Sequence, residues 1–279
     1  MTQVWTKSVN QLPSLVRIAD ISQYVVSTNW DEEAPIDTFY RTTLDILRVA
    51  QPNFIAAHPS MGSLFLVGVI SATENYFRDI FARIIQVCPK AKKKSASQSI
   101  SMGSVLWHTG LNVERGAFEH KSFASAETIR STSKDFIDYC IKQHGLTSSI
   151  LKEYENVCEL RHGIVHSNSV LAGKNAIKLL IDPTPKKVTK VHIGYPQLQE
   201  CILICTTLVT SFNTELFEEI SKRWAVDWHT LYTSTELNVL FNKVWIIFHS
   251  TIDSANGTIV EPLTPMKCRN KIKRAFNIP

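Results

Sequence analysis

Within two helical turns, Glu159-Leu160-Arg161-His162-Gly163-Ile164-Val165-His166 gathers an arginine and two histidines. An imidazole exchanges a proton near neutral pH because its unperturbed pKa lies at ~6.5. A guanidinium offers a planar fork of fixed donors to an oxyanion whose charge grows during a reaction. Read as a helix from about 149 to 166, the segment carries Tyr154, Val157, Cys158, Ile164 and Val165 on one apolar stripe, with Arg161 in its middle. Burying an unpaired guanidinium costs several kcal/mol, so Arg161 requires a partner or an anionic ligand. His162 and His166, four apart, fall on one side of the helix at the edge of that stripe.

An earlier helix, expected over 62–87, offers the partner. Leu66, Ile70, Phe77, Phe81 and Ile84 make its apolar stripe, and Glu74 sits among them, where a carboxylate is out of place. Two opposite charges on facing apolar surfaces predict a Glu74–Arg161 pair, with Arg78 one turn on as a second cation. The rival chemistry is a metal site, since His-x3-His on a helix matches zinc-ligand spacing. No Glu follows His162 and no third ligand suggests itself, so neither metal nor cofactor is expected.

Arg161-x4-His166 resembles the R-x4-6-H signature of the HEPN superfamily, and Glu74-x3-Arg78 resembles the acidic and basic motif that accompanies it in toxin and antiviral members. The residue after the arginine, commonly Asn or Asp there, is His162 here. The resemblance covers about 62–223. It implies an antiparallel helical bundle and metal-independent RNA cleavage at a site shared by two protomers of a homodimer. Attack by the ribose 2′-hydroxyl would leave a 2′,3′-cyclic phosphate and a 5′-hydroxyl. His166 is then general base or acid, Arg161 the phosphate stabiliser, His162 an auxiliary donor or second proton carrier, and Glu74 the residue that holds Arg161. A defence or toxin–antitoxin context follows from the same resemblance, with an antitoxin or other defence protein as partner. A non-catalytic RNA- or nucleotide-binding module of the same family is the second reading.

The rest of the chain must position these groups. In 279 residues, 44% are hydrophobic and 20% charged, which is enough to bury a sizeable core and excludes a disordered tail. Net charge is +5, from 30 Lys and Arg against 25 Asp and Glu, which permits an RNA partner. The six cysteines show no Cys-x-x-Cys pair and read as reduced, mostly buried thiols of a cytoplasmic protein. The longest apolar run, 64–70, falls far short of the roughly 20 residues of a membrane span.

The expected fold class is all-α, with a β-hairpin insertion. The expected divisions are an N-terminal segment over 1–60, a helical domain over 61–224 and a C-terminal helical tail over 225–279. Helices are expected over 37–50, capped by Asp37, over 62–87, from Ser125 to near Gly145, over 149–166 and from Pro196 to about Trp224. Residues 88–124 read as a long excursion carrying Lys90, Lys92, Lys93 and Lys94, which would track an RNA backbone together with Arg78. Residues 176–181 and 188–193 read as the arms of the hairpin, around Pro183-Thr184-Pro185-Lys186-Lys187. His58, His108, His120 and His229 read as surface or satisfied histidines, and Cys201 and Cys205 as small core residues.

Overall fold

The computed structural model describes residues 5, 8–11, 14–27, 33–108, 112–184 and 187–278. The chain is mostly helical and divides into Met1–Glu32 and Glu33–Pro279, not at 60 and 224. In the first unit, a 3₁₀ turn over Ile21–Tyr24 begins where the Asp20 carboxylate accepts from the Ser22 backbone N–H at 2.9 Å. Asp31 and Glu32 lie outside the described residues.

In the second unit, Pro35 at the first helical position starts α1 (Pro35–Val49). Asp37 does not cap it. Its buried carboxylate lies in the first turn and accepts from the Thr251 N–H and hydroxyl at 2.7 and 2.6 Å. After α2 (Pro52–Ala57), the apolar-patterned stretch expected over 62–87 forms α3 (Met61–Val87). The segment expected as an excursion holds α4 (Pro89–Ser95), α5 (Met102–Trp107) and a 3₁₀ segment over Val113–Phe118.

Ser125 caps α6 (Ala126–Ile137), which stops at Asp138 in the left-handed region, φ 52°, well before Gly145. Next come α7 (Leu146–His166), α8 (Gly173–Lys178) and α9 (Tyr195–Val226). The C-terminal part forms α10 (Ser234–Phe248), opened by a Thr233–Glu236 capping box, then α11 (Thr251–Ala255) and α12 (Pro265–Ala275). α10 packs on both α3 and α9 and buries Leu237, Phe241 and Val244, so 225–279 completes the core instead of trailing from it.

α3 and α9 run parallel at the centre: Gly62, in the first turn of α3, adjoins Ile193, just before α9, and Cys88, just past α3, meets Arg223 of the last turn of α9 at 3.8 Å. α7 runs antiparallel to α9: Glu215 of α9 accepts from the Thr147 N–H at 3.2 Å, whereas Leu171 and Val191, against Gly163, lie toward the start of α9. Phe77, Phe81, Phe118, Phe123 and Phe212, all buried, pack ring against ring between these helices. Each would cost about 3–5 kcal/mol as alanine.

The expected hairpin does not form. The first half of its first arm lies in α8, because Asn175 and Lys178, three apart, both reach Glu159 of α7 when the segment is helical. Ile177 and Leu180 are exposed. Pro185 and Lys186 lie outside the described residues. The second arm stays extended and pairs elsewhere: Val191 N–H donates to Ser169 O at 2.7 Å and Leu171 N–H to Thr189 O at 3.0 Å, around a Val170–Lys190 bridge.

Candidate functional site

The site is built on the last two turns of α7. Leu151, Tyr154, Val157 and Cys158 bury the inner face of this helix against α9 and α3, as their spacing predicts. Tyr154 donates to Phe123 O at 3.1 Å, and burial pushes its hydroxyl and the Cys158 thiol well above their ordinary pKa values. Cys205, fully buried, is pushed up to about 12 and Cys201 to about 11, so both stay protonated core groups.

Arg161 continues the buried stripe and is half-buried. Its Nε is enclosed and has no hydrogen-bond partner among the described residues. His162 and His166 are exposed, with ring centroids 4.6 Å apart and planes at 50°. The same turn thus carries two adjacent exposed imidazoles and a half-buried guanidinium whose enclosed Nε is unsatisfied among the described residues. Val165, expected inside, is 44% exposed between them. Gly163 lets the extended segments cross closely, since a Cβ there would meet Leu171 Cδ2 at 3.3 Å and Val191 Cγ2 at 3.4 Å.

Glu74 is buried, as its place on the stripe predicts, but the expected Glu74–Arg161 pair is corrected. Its Oε1 accepts from the Ser122 hydroxyl at 3.0 Å and the Ala124 N–H at 3.1 Å, and pairs with Arg78 at 3.5 Å. The loop that follows the 3₁₀ segment reaches this carboxylate first. Glu74 is therefore an anchor for residues 122–124, and Arg78 is committed to it, to Lys121 O at 3.1 Å and to the face of Phe123.

The lysine run lies at the other end of α3. Gly62, at the start of α3, adjoins Ile193, and Val191 adjoins Gly163, so the histidine end of α7 lies beside the first turn of α3. From there to Lys90, past the last turn of α3, is about 40 Å at 1.5 Å per residue. Lys90 and Lys94 flank Asp138 at 2.9 and 3.8 Å and help to hold its carboxyl below the ordinary value, the Lys90 hydrogen bond contributing most. Lys92 and Lys93 are exposed.

Sequence reasoning passed over Glu159, two residues before Arg161. It is buried, accepts from Asn175 and Lys178, and so fastens α8 to the motif helix. The available signal was the one that singled out Glu74, a carboxylate on an apolar stripe. His108, taken as satisfied, bonds Glu119 at 2.8 Å. Among the described residues, no group of three or more His, Cys, Asp or Glu converges as metal ligands, and no helix is long and apolar enough to cross a membrane. Compared with known proteins, the chain matches no family model, no curated protein and no solved structure.

Proposed function

We propose that this chain is a metal-independent RNA endonuclease of HEPN-like type, working as a homodimer through His162, His166 and Arg161 in a defence or toxin–antitoxin setting. The observation that carries the reading is the pair of exposed imidazoles, centroids 4.6 Å apart, beside a half-buried arginine whose Nε has no partner among the described residues. Their chemistry suits 2′-hydroxyl transfer. A neutral imidazole takes the 2′-hydroxyl proton as that oxygen attacks phosphorus. An imidazolium gives its proton to the departing 5′-oxygen, which leaves a 2′,3′-cyclic phosphate and a 5′-hydroxyl. Arg161 donates to the non-bridging oxygens as their charge grows. Release of Arg161 from Glu74 favours this role, because a guanidinium already paired with a carboxylate has less to offer a phosphate.

The test is incubation of the purified chain with transfer, messenger and ribosomal RNA in EDTA, followed by analysis of product ends. Cyclic phosphate ends that vanish with His166→Ala support the reading. Intact RNA, or cleavage that requires added zinc, rejects it. A second reading, a non-catalytic RNA- or nucleotide-binding module, is favoured by the placement of both imidazoles on one side of one helix. Retention of RNA without product in the same incubation would establish that reading.

A further inference from the structure

A cavity of about 330 Å³ opens between α9, the end of α10, α11 and α12, lined on its apolar side by Phe217, Trp245 and Phe248. Its volume and aromatic lining fall within the range of small-molecule sites. It lies in the second half of α9, about 24 Å along that helix from its Gly194 cap, and so apart from the Arg161–His166 turn.

The oxygens around it offer acceptors. Thr210 and Thr214 donate their hydroxyl protons to Thr206 O and Thr210 O, at 2.9 and 3.0 Å, which leaves only oxygen lone pairs for the cavity. Asn213 donates to Phe248 O at 2.9 Å. The Asp253 carboxylate, on the wall, accepts from the Tyr40 hydroxyl at 3.1 Å and the Thr258 hydroxyl at 2.9 Å. Buried Asp37, behind it, accepts from Ser250 and Thr251.

All these donors are neutral, and neither aspartate has an ion-pair partner among the described residues. Glu261, at the rim, already pairs with Lys271. His249, stacked on Trp245 at 4.4 Å, is held below the ordinary imidazole pKa by burial, against the opposing pull of Asp37, and does not supply the missing charge near neutral pH. An aspartate on the wall of an aromatic-lined cavity, without an ion-pair partner among the described residues, matches one ligand chemistry.

We propose that this cavity binds a small organic cation with an aromatic body, its ammonium group at Asp253 and its ring against Trp245, Phe217 and Phe248. The ammonium supplies the absent donors and charge, and the ring faces attract it further.

The experiment is calorimetric titration of the full chain with tryptamine, with tryptophol as its neutral counterpart and with indole-3-propionate as the anion. We expect tryptamine to bind about tenfold or more tighter than tryptophol, with no binding of the anion. Asp253→Asn retains an acceptor oxygen and should weaken tryptamine by about tenfold while tryptophol stays unchanged. Thr214→Trp, at an exposed rim position, fills the mouth and should abolish binding of both, which keeps the test decisive if the first variant does not fold. Equal binding of tryptamine and tryptophol, tryptamine binding that survives Thr214→Trp, or no tryptamine binding at millimolar concentration would overturn the proposal.

Discussion

At the scale of single residues, His162 and His166 project from the surface while Arg161 is rooted in the stripe beneath them. Replacing either histidine by alanine removes no buried packing, only the exposed ring contact between them, so stability should stay within about 0.5 kcal/mol of the parent. Cleavage should fall by about 10²–10⁴-fold, the usual contribution of a positioned acid or base. Unchanged cleavage rates in variants with parental melting temperatures would end the catalytic assignment. Glu74→Ala is expected to do the opposite. It strands the Ser122 and Ala124 donors together with Arg78, for a loss of about 1–3 kcal/mol in denaturant unfolding, yet leaves cleavage per folded molecule near the parental rate. Loss of cleavage without loss of stability would mean that Glu74 serves Arg161 after all. The burial of Glu74 was legible from helical period alone. Its partner was not, because a backbone N–H such as that of Ala124 carries no residue-type signal, and any loop that reaches the carboxylate first takes it.

At the scale of elements, the helices that carry the site could be read in the sequence to within a few residues, since α3, α7 and α9 each bury a stripe and meet Gly, Ser or Pro at their starts. The segment between α7 and α9 could not. The apolar and β-branched residues of 176–181 and 188–193 suit strands locally, but Glu159 draws Asn175 and Lys178 into a helix, a tertiary effect outside any local window. Residues 189–193 instead cross the ends of α7 and α3, where Gly62 admits them: a Cβ there would stand 1.9 Å from Ile193 O. Gly62→Ala must therefore push this strap off the start of α3. We expect a loss of about 1–3 kcal/mol, with faster amide exchange at Leu171 and Val191, whose N–H groups bond across the strap. Parental stability and exchange would show that the strap moves aside freely and does not brace the histidine turn.

At the scale of the whole molecule, the lysine helix and the histidine pair stand at opposite ends of α3, about 40 Å apart. Only a long RNA could meet both, so replacing Lys92 and Lys93 by alanine should weaken binding of long RNA and reduce its salt dependence, while cleavage of a short oligonucleotide stays the same. Equal loss for both substrates would place the lysines near the reaction. On the proposed reading, a dimer is expected from the geometry of the transfer. The attacking and leaving oxygens lie on opposite sides of phosphorus, whereas His162 and His166 approach from one side of one helix. One turn can thus supply the base or the acid, and a two-fold axis beside α7 would bring the same turn of a second chain to the far side through an isologous contact. Val165, 44% exposed beside the histidines, and Leu64, 59% exposed near the start of α3, give that contact apolar surface. Equal mixtures of parent and His166→Ala chains, allowed to exchange, should then cleave at about a quarter of the parental rate, because only parent–parent pairs hold a complete site. Val165→Asp should yield monomers in sedimentation and lose cleavage with them. A mixture that retains half the rate, or a Val165→Asp monomer that cleaves at full speed, would show that each chain carries its own base and acid.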